Sequence, residues 1–213
     1  MARKLTLIII ACILVLSLDS VAFADLSVGV KKGDWIEYKV SYTGSPVAEH
    51  DVVGARMEVL EVQGSNITVR ITSRFSDGST EQSTTTLNLE TGHLIDNFII
   101  PANLNAGDTF FAENLGNVTI TKAEQRTYVG ATRTVLYAST SENTYIWDKV
   151  TGVSVEGNAA TPHYTIHTIV ENTNMWQPAE GQNWTILIAV VLIVLVAVAL
   201  VTGVLLRKKK KRS

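Results

Sequence analysis

Residues 186–206 carry no charged side chain over twenty-one positions, and Arg207, Lys208, Lys209, Lys210, Lys211 and Arg212 follow at once. An uncharged run of about 20 residues rich in Val, Leu, Ile and Ala is long enough to cross the apolar core of a bilayer as a helix. Trp184 stands at its outer margin, where an amphipathic ring favours the headgroup level, and the basic cluster is the kind retained in the cytoplasm. The expectation is a transmembrane helix over 184–206, a cytoplasmic tail over 207–213, and everything before it on the far side of the membrane.

The other end fits that topology. Arg3 and Lys4 precede an apolar run over 5–18, and Ala22-Phe23-Ala24 supplies small residues at the −3 and −1 positions of a cut. This is the form of a secretory signal peptide over 1–24. An uncleaved anchor is the alternative reading. The single cysteine, Cys12, lies inside this segment, in an Ile9-Ile10-Ala11-Cys12 context that superficially matches a lipoprotein processing site.

The exported part thus has neither disulfides nor a thiol nucleophile. In residues 25–183, ten Lys and Arg stand against nineteen Asp and Glu, a formal charge of −9. So acidic a surface is a poor partner for nucleic acid, whose phosphates require basic side chains. The basic tail is suited to anionic lipid headgroups. Residues 172–183, with Pro178, Glu180 and Gly181, read as a polar linker that places the domain close above the bilayer.

Within 25–171 the apolar residues alternate rather than recur at helical spacing, and β-branched side chains abound. Ile67, Val69, Ile71 and Phe75 share one strand face, opposite Thr68, Arg70, Thr72 and Arg74; Ile36, Tyr38, Val40 and Tyr42 align in the same way. Further strands are expected near 55–63, 81–89, 94–100, 117–127, 131–139, 143–148 and 163–171, separated by Gly-, Asn- and Asp-bearing turns. The reading is an all-β antiparallel meander of about ten strands forming a barrel, a half-barrel or a sandwich.

A weak internal repeat runs through it. Lys32-Gly33-Asp34-Trp35 and Leu89-Glu90-Thr91-Gly92 bound a first half; Ala106-Gly107-Asp108-Thr109-Phe110 and Trp147-Asp148-Lys149-Val150-Thr151-Gly152 bound a second. Each Gly-Asp pair is expected to turn an aromatic residue into the next strand, and each Thr-Gly to supply the left-handed residue of a tight hairpin. The opening Gly33-Asp34-Trp35 and the Trp147-Asp148-Lys149-Val150-Thr151-Gly152 hairpin resemble those of uncharacterised archaeal exported proteins, many with a C-terminal membrane anchor. The resemblance implies a prokaryotic cell surface and no assigned activity. At the level of strand layout alone, the chain is similar to curved antiparallel sheets that shelter lipid, such as periplasmic lipoprotein carriers.

No motif for a chemical reaction stands out. His163, His167 and Glu171 would share a strand face, but strand residues four apart are about 13 Å from each other, too far to ligate one ion. Glu49-His50-Asp51 has no nucleophile beside it, and His93 stands apart. No nucleophile elbow, zinc-protease motif, phosphate-binding glycine loop or CxxC is present. No catalytic residue, cofactor site or metal site is therefore assigned. Asn66-Ile67-Thr68 and Asn117-Val118-Thr119 make Asn66 and Asn117 candidate glycosylation sites. The function expected is a non-catalytic, membrane-tethered cell-surface module that binds a protein, glycan or lipid or serves structurally. The alternatives are a carrier or sensor of an apolar ligand on a curved sheet, and a hydrolase built on two carboxylates.

Overall fold

The computed structural model describes residues 26–44 and 51–178. The expected signal peptide, transmembrane helix and basic tail, together with Glu49 and His50, lie outside them. Among the described residues no helix is long and apolar enough to cross a membrane.

Eleven strands form: β1 (Trp35–Gly44), β2 (Val52–Gln63), β3 (Asn66–Phe75), β4 (Thr80–Asn88), β5 (Thr109–Ala112), β6 (Gly116–Thr119), β7 (Lys122–Tyr128), β8 (Ala131–Ser139), β9 (Asn143–Asp148), β10 (Ser154–Ala160) and β11 (Tyr164–Thr173). Nine of them make one antiparallel sheet in the order β4-β3-β2-β1-β11-β10-β9-β8-β7, while β5 and β6 pair only with each other. The chain steps outward from β1 to β4, crosses by residues 89–121 to the opposite edge, and returns from β7 to β11 beside β1. The edges β4 and β7 do not pair with each other, so the sheet is open and no barrel closes.

Local chemistry sets the hairpins. The β7–β8 turn has Val129 and Gly130 both at positive φ (49° and 74°), the two-residue geometry whose twist matches that of paired strands. Between β3 and β4, Asp77 accepts a hydrogen bond from the Ser79 amide at 2.8 Å and Gly78 takes φ 86°.

The two Gly-Asp turns use the same bonds. Asp34 Oδ2 accepts from the Lys31 amide at 2.9 Å and Asp108 Oδ2 from the Asn105 amide at 2.7 Å. Their own amides return to the Lys31 and Asn105 carbonyls at 3.1 Å in both cases. The Thr-Gly hairpins are matched as well, with the Thr91 amide bonded to the Asn88 side chain and the Thr151 amide to that of Asp148. A Cβ on Gly152 would collide with the Ile100 carbonyl oxygen, so this glycine also admits the crossover to the hairpin.

The inner face of β1–β4 presents Ile36, Tyr38, Met57, Val59, Ile67, Val69 and Leu87, all buried. The crossover covers it: Leu94, Ile99, Ile100, Phe110, Val118 and Ile120 join these residues and Trp147 in one apolar cluster. Each such side chain contributes on the order of 1.5–3 kcal/mol when removed from water, so the crossover is a core element despite its two short strands. The outer face of β1–β4 is charged. Glu37–Arg56 (2.5 Å) and Glu58–Arg70 (2.6 Å) pair across strands, all four side chains between 32% and 39% exposed, and such pairs are worth about 0–1 kcal/mol.

The strands β8 and β9 differ, because both of their faces are buried. Val135 and Leu136 are adjacent and enclosed, as are Ile146, Trp147 and Asp148. The crossover packs on one side, with Phe110 edge-on to Trp147 at 5.7 Å. On the other, the chain after β11 lays down Trp176, which donates Nε1–H to the Tyr128 carbonyl at 3.1 Å under the Arg133 guanidinium.

Several sequence expectations require correction. Residues 94–100 are not a strand: Ile95, Asp96 and Asn97 are all left-handed, and only Ile99 bridges to Val153. The run 117–127 breaks at Ile120–Thr121, where β6 serves the crossover hairpin and β7 joins the main sheet. The strands β5 and β10 are additional. Packing extends past residue 171, since Thr173 belongs to β11 and Trp176 is buried, which removes residues 172–176 from the expected linker.

Candidate functional site

The crossover leaves part of the inner face uncovered. Above residues 96–98 and 114–115, next to β9, β10 and β11, there is an open cavity of about 420 Å³. Its depth comes from β10, where Gly157 and Ala159 point to the same face as Thr168 and Ile166 on β11 and as Tyr145 and Asn143 on β9. Small residues in the middle strand with larger ones on either side make a trough. A Cβ on Gly157 would meet only the Thr144 carbonyl oxygen, at 3.4 Å, so the trough exists because a side chain is missing.

The walls are aromatic and fixed. Tyr38 is buried and donates its hydroxyl to the Ser154 carbonyl at 2.8 Å, and Phe98 lies across it with ring centroids 6.2 Å apart. Burial pushes the Tyr38 hydroxyl well above the ordinary tyrosine range. Tyr145 stacks flat on Trp147, centroids 5.3 Å apart and planes 8° from parallel. Burial raises the Tyr145 pKa, the Asn143 and Asn97 amides oppose that, and the Asp96 carboxylate adds to it. Leu115 and Ile166 complete the apolar lining, and among the described residues Asp96 is the only charged one that borders the cavity.

The rim beside Asp96 is strained. Ile95, Asp96 and Asn97 have φ of 43°, 52° and 57°. Asp and Asn tolerate this region; for an L-residue in general it costs about 1–2 kcal/mol, and a β-branched residue such as Ile95 enters it rarely. The Asn97 carbonyl holds the Trp147 Nε1–H at 2.8 Å, which ties the turn to the core. The Asn97 side-chain amide is enclosed with neither atom hydrogen-bonded, although it lies near enough to the Tyr145 hydroxyl to influence its acidity. An amide buried without partners costs roughly 1–3 kcal/mol.

The residues singled out in the sequence lie elsewhere. His163 precedes β11, and Glu171 lies where the β1–β11 register shifts, so the expected shared face is not formed. His167 instead meets Glu156 of β10 at 3.2 Å on the outer face. Glu156 also accepts from the Tyr128 hydroxyl at 2.6 Å. His93 pairs with Glu113 at 2.7 Å and is exposed, and Asp51 accepts from Ser76 at 2.5 Å. Among the described residues no three His, Asp or Glu side chains converge as a metal site would require. Asn66 and Asn117 are exposed on β3 and β6; Asn66 accepts a hydrogen bond from Asn88 at 2.7 Å.

Sequence reasoning missed the cavity, and one signal for it was present. In Ser154–Ala160 the sequence SVEGNAA places Gly157 and Ala159 two apart, on one face of the strand.

No family model and no curated protein matches the chain. A solved structure of Ex-FABP, described as a siderocalin that functions through dual ligand specificities, overlaps it with a TM-score of 0.26 at 10% identity, covering 73% of this chain and 80% of that one. An overlap this loose carries no argument about fold or ligand.

Proposed function

We propose that the domain is a non-catalytic carrier or sensor that holds a small, largely apolar ligand in the cavity between the crossover and β9–β11. The cavity itself carries this reading. Its volume of about 420 Å³ falls in the range of about 300–1,000 Å³ typical of small-molecule sites, and its aromatic lining with a few polar groups is typical too. The cavity supports this reading over that of an inner face wholly filled by its own side chains. A carboxylate-based hydrolase needs two carboxylates facing one cleft about 5–10 Å apart; among the described residues Asp96 is the one carboxylate lining this cavity, and in the two other hollows that carry carboxylate pairs, Glu37 beside Glu171 is bound to Arg56 and Glu113 beside Asp96 to His93.

The uncharged run 186–206 and the basic tail that follows support tethering to a cell membrane, with the domain outside and within a few nanometres of the lipid. Membrane lipid is then the nearest source of an apolar ligand. Exposed Asn66 and Asn117 are available for glycosylation there. The test is to purify the full chain from its own membrane and identify small molecules by native mass spectrometry and solvent extraction. A stoichiometric adduct, absent from Gly157→Val, is expected. Equal extracts from the two proteins would contradict the reading.

A further inference from the structure

We infer that the ligand carries an organic cation, a quaternary or protonated amine, held against Tyr145 and beside Asp96. The inference rests on the carrier reading and names the chemistry that the same cavity selects. Three aromatic residues border it, Tyr38, Phe98 and Tyr145. The face of an aromatic ring is electron-rich and attracts a cation within about 6 Å of its centroid, most strongly where water is excluded. The rings are held in place before any ligand arrives: Tyr38 by its bond to the Ser154 carbonyl, and Tyr145 by stacking on Trp147. That stacking covers one face of Tyr145, and the ring borders the cavity beside Asn143.

Charge decides between ligand classes. Among the described residues no Lys, Arg or His borders the cavity, and Asp96 does. A carboxylate or phosphate ligand would meet a like charge and no counter-ion. Asp96 is exposed at the rim, makes no ion pair or hydrogen bond with any described side chain, and lies near enough to Tyr145 to contribute, as the smallest of the causes, to the raised pKa of its hydroxyl. The left-handed turn 95–97 that presents it is anchored to the core by Trp147. The formal charge of −9 on residues 25–183 favours approach of a cation and disfavours an anion.

The test uses the full chain in a non-ionic detergent and three probes of one chain length: hexyltrimethylammonium, hexanol and hexanoate. Binding is followed by tryptophan and tyrosine fluorescence and confirmed by titration calorimetry. The ammonium is expected to bind about tenfold more tightly than the alcohol, with hexanoate weakest. Asp96→Asn, tolerated at a left-handed position, should reduce that preference about threefold, and Gly157→Val should abolish binding of all three. If hexanol binds as tightly as the ammonium and Gly157→Val blocks both, the cation inference falls while the carrier reading stands. If no probe saturates in the unmodified chain, both fall.

Discussion

The strands β1–β4 and the strands β8–β9 belong to one sheet but solve the burial problem differently. In β1–β3 one face meets the crossover and the other meets water, so apolar and polar residues alternate as in Ile67–Val69–Ile71 against Thr68–Arg70–Thr72, while β4 at the edge buries only Leu87. In β8 and β9 the crossover lies on one side and Trp176 on the other, so consecutive residues such as Ile146, Trp147 and Asp148 are all enclosed. The same contrast governs charge: β1–β4 keep their ion pairs at the surface, whereas Asp148 is wholly buried and Arg133 only 19% exposed. A sheet covered on one side tolerates change on its outer face; a region covered on both sides does not.

That difference can be broken experimentally. The largest effect is expected from Trp147→Ala, which empties the contact with Phe110 and Tyr145 and leaves the Asn97 carbonyl unpaired. A loss of about 3–5 kcal/mol should appear as a lower urea midpoint.

Next comes Arg133→Met. Arg133 grips both oxygens of Asp148 at 2.8 and 3.0 Å, while the Thr151 amide and hydroxyl donate to Oδ1. Removing the guanidinium strands a buried carboxylate and should cost about 3 kcal/mol. The matching change in the other region, Arg70→Met, should cost less than about 1 kcal/mol. Equal losses for the two would erase the contrast.

A pH titration sharpens it further. Burial, followed by the bond to Glu156, pushes the Tyr128 hydroxyl up to about 12, against an ordinary value of 10.0. A raised acid favours folding while it stays protonated, so this contribution is intact below pH 10 and is lost as pH rises from there towards 12. On the acid side, bonds from Lys122 and then Tyr137 hold the half-buried Glu124 carboxyl down at about 2. That contribution is complete above the ordinary value of 4.5 and fades as pH falls towards 2. Tyr128→Phe should flatten the alkaline limb of a stability-against-pH curve, and Glu124→Gln the acid limb. The smallest change in stability should come from Gly157→Val, within about 1 kcal/mol, because its Cβ meets only one carbonyl oxygen at 3.4 Å.

The same contrast explains what was legible in the sequence. The strands β1 to β3 could be read because alternation is the direct record of one wet face and one dry face. The turns could be read because Gly33-Asp34, Gly107-Asp108 and the Thr-Gly pairs carry their own conformational logic. The β6–β7 run could not. Its apolar pattern continues through Ile120, which is buried in the crossover core, and nothing local marks the break where the chain changes partner. Residues 94–100 misread for a related reason: Leu94, Ile99 and Ile100 are apolar because they cover the sheet, not because they extend it. Trp176 sat among polar residues that look like linker, and its burial depends on β7–β8 distant in sequence. The cavity was recorded only by the small residues Gly157 and Ala159, whose meaning depends on which strands flank them.

The central claim is that the inner face keeps a place for a ligand between Phe98, Tyr145 and Ile166. The most direct measurement is an experimental structure of the full chain purified from its own membrane, at a resolution that shows side chains and bound molecules. The account predicts non-protein density in the trough above Gly157, against Tyr145 and beside Asp96. Phe98 and Leu115 folded down to fill that trough, with no density between them and β10, would contradict it.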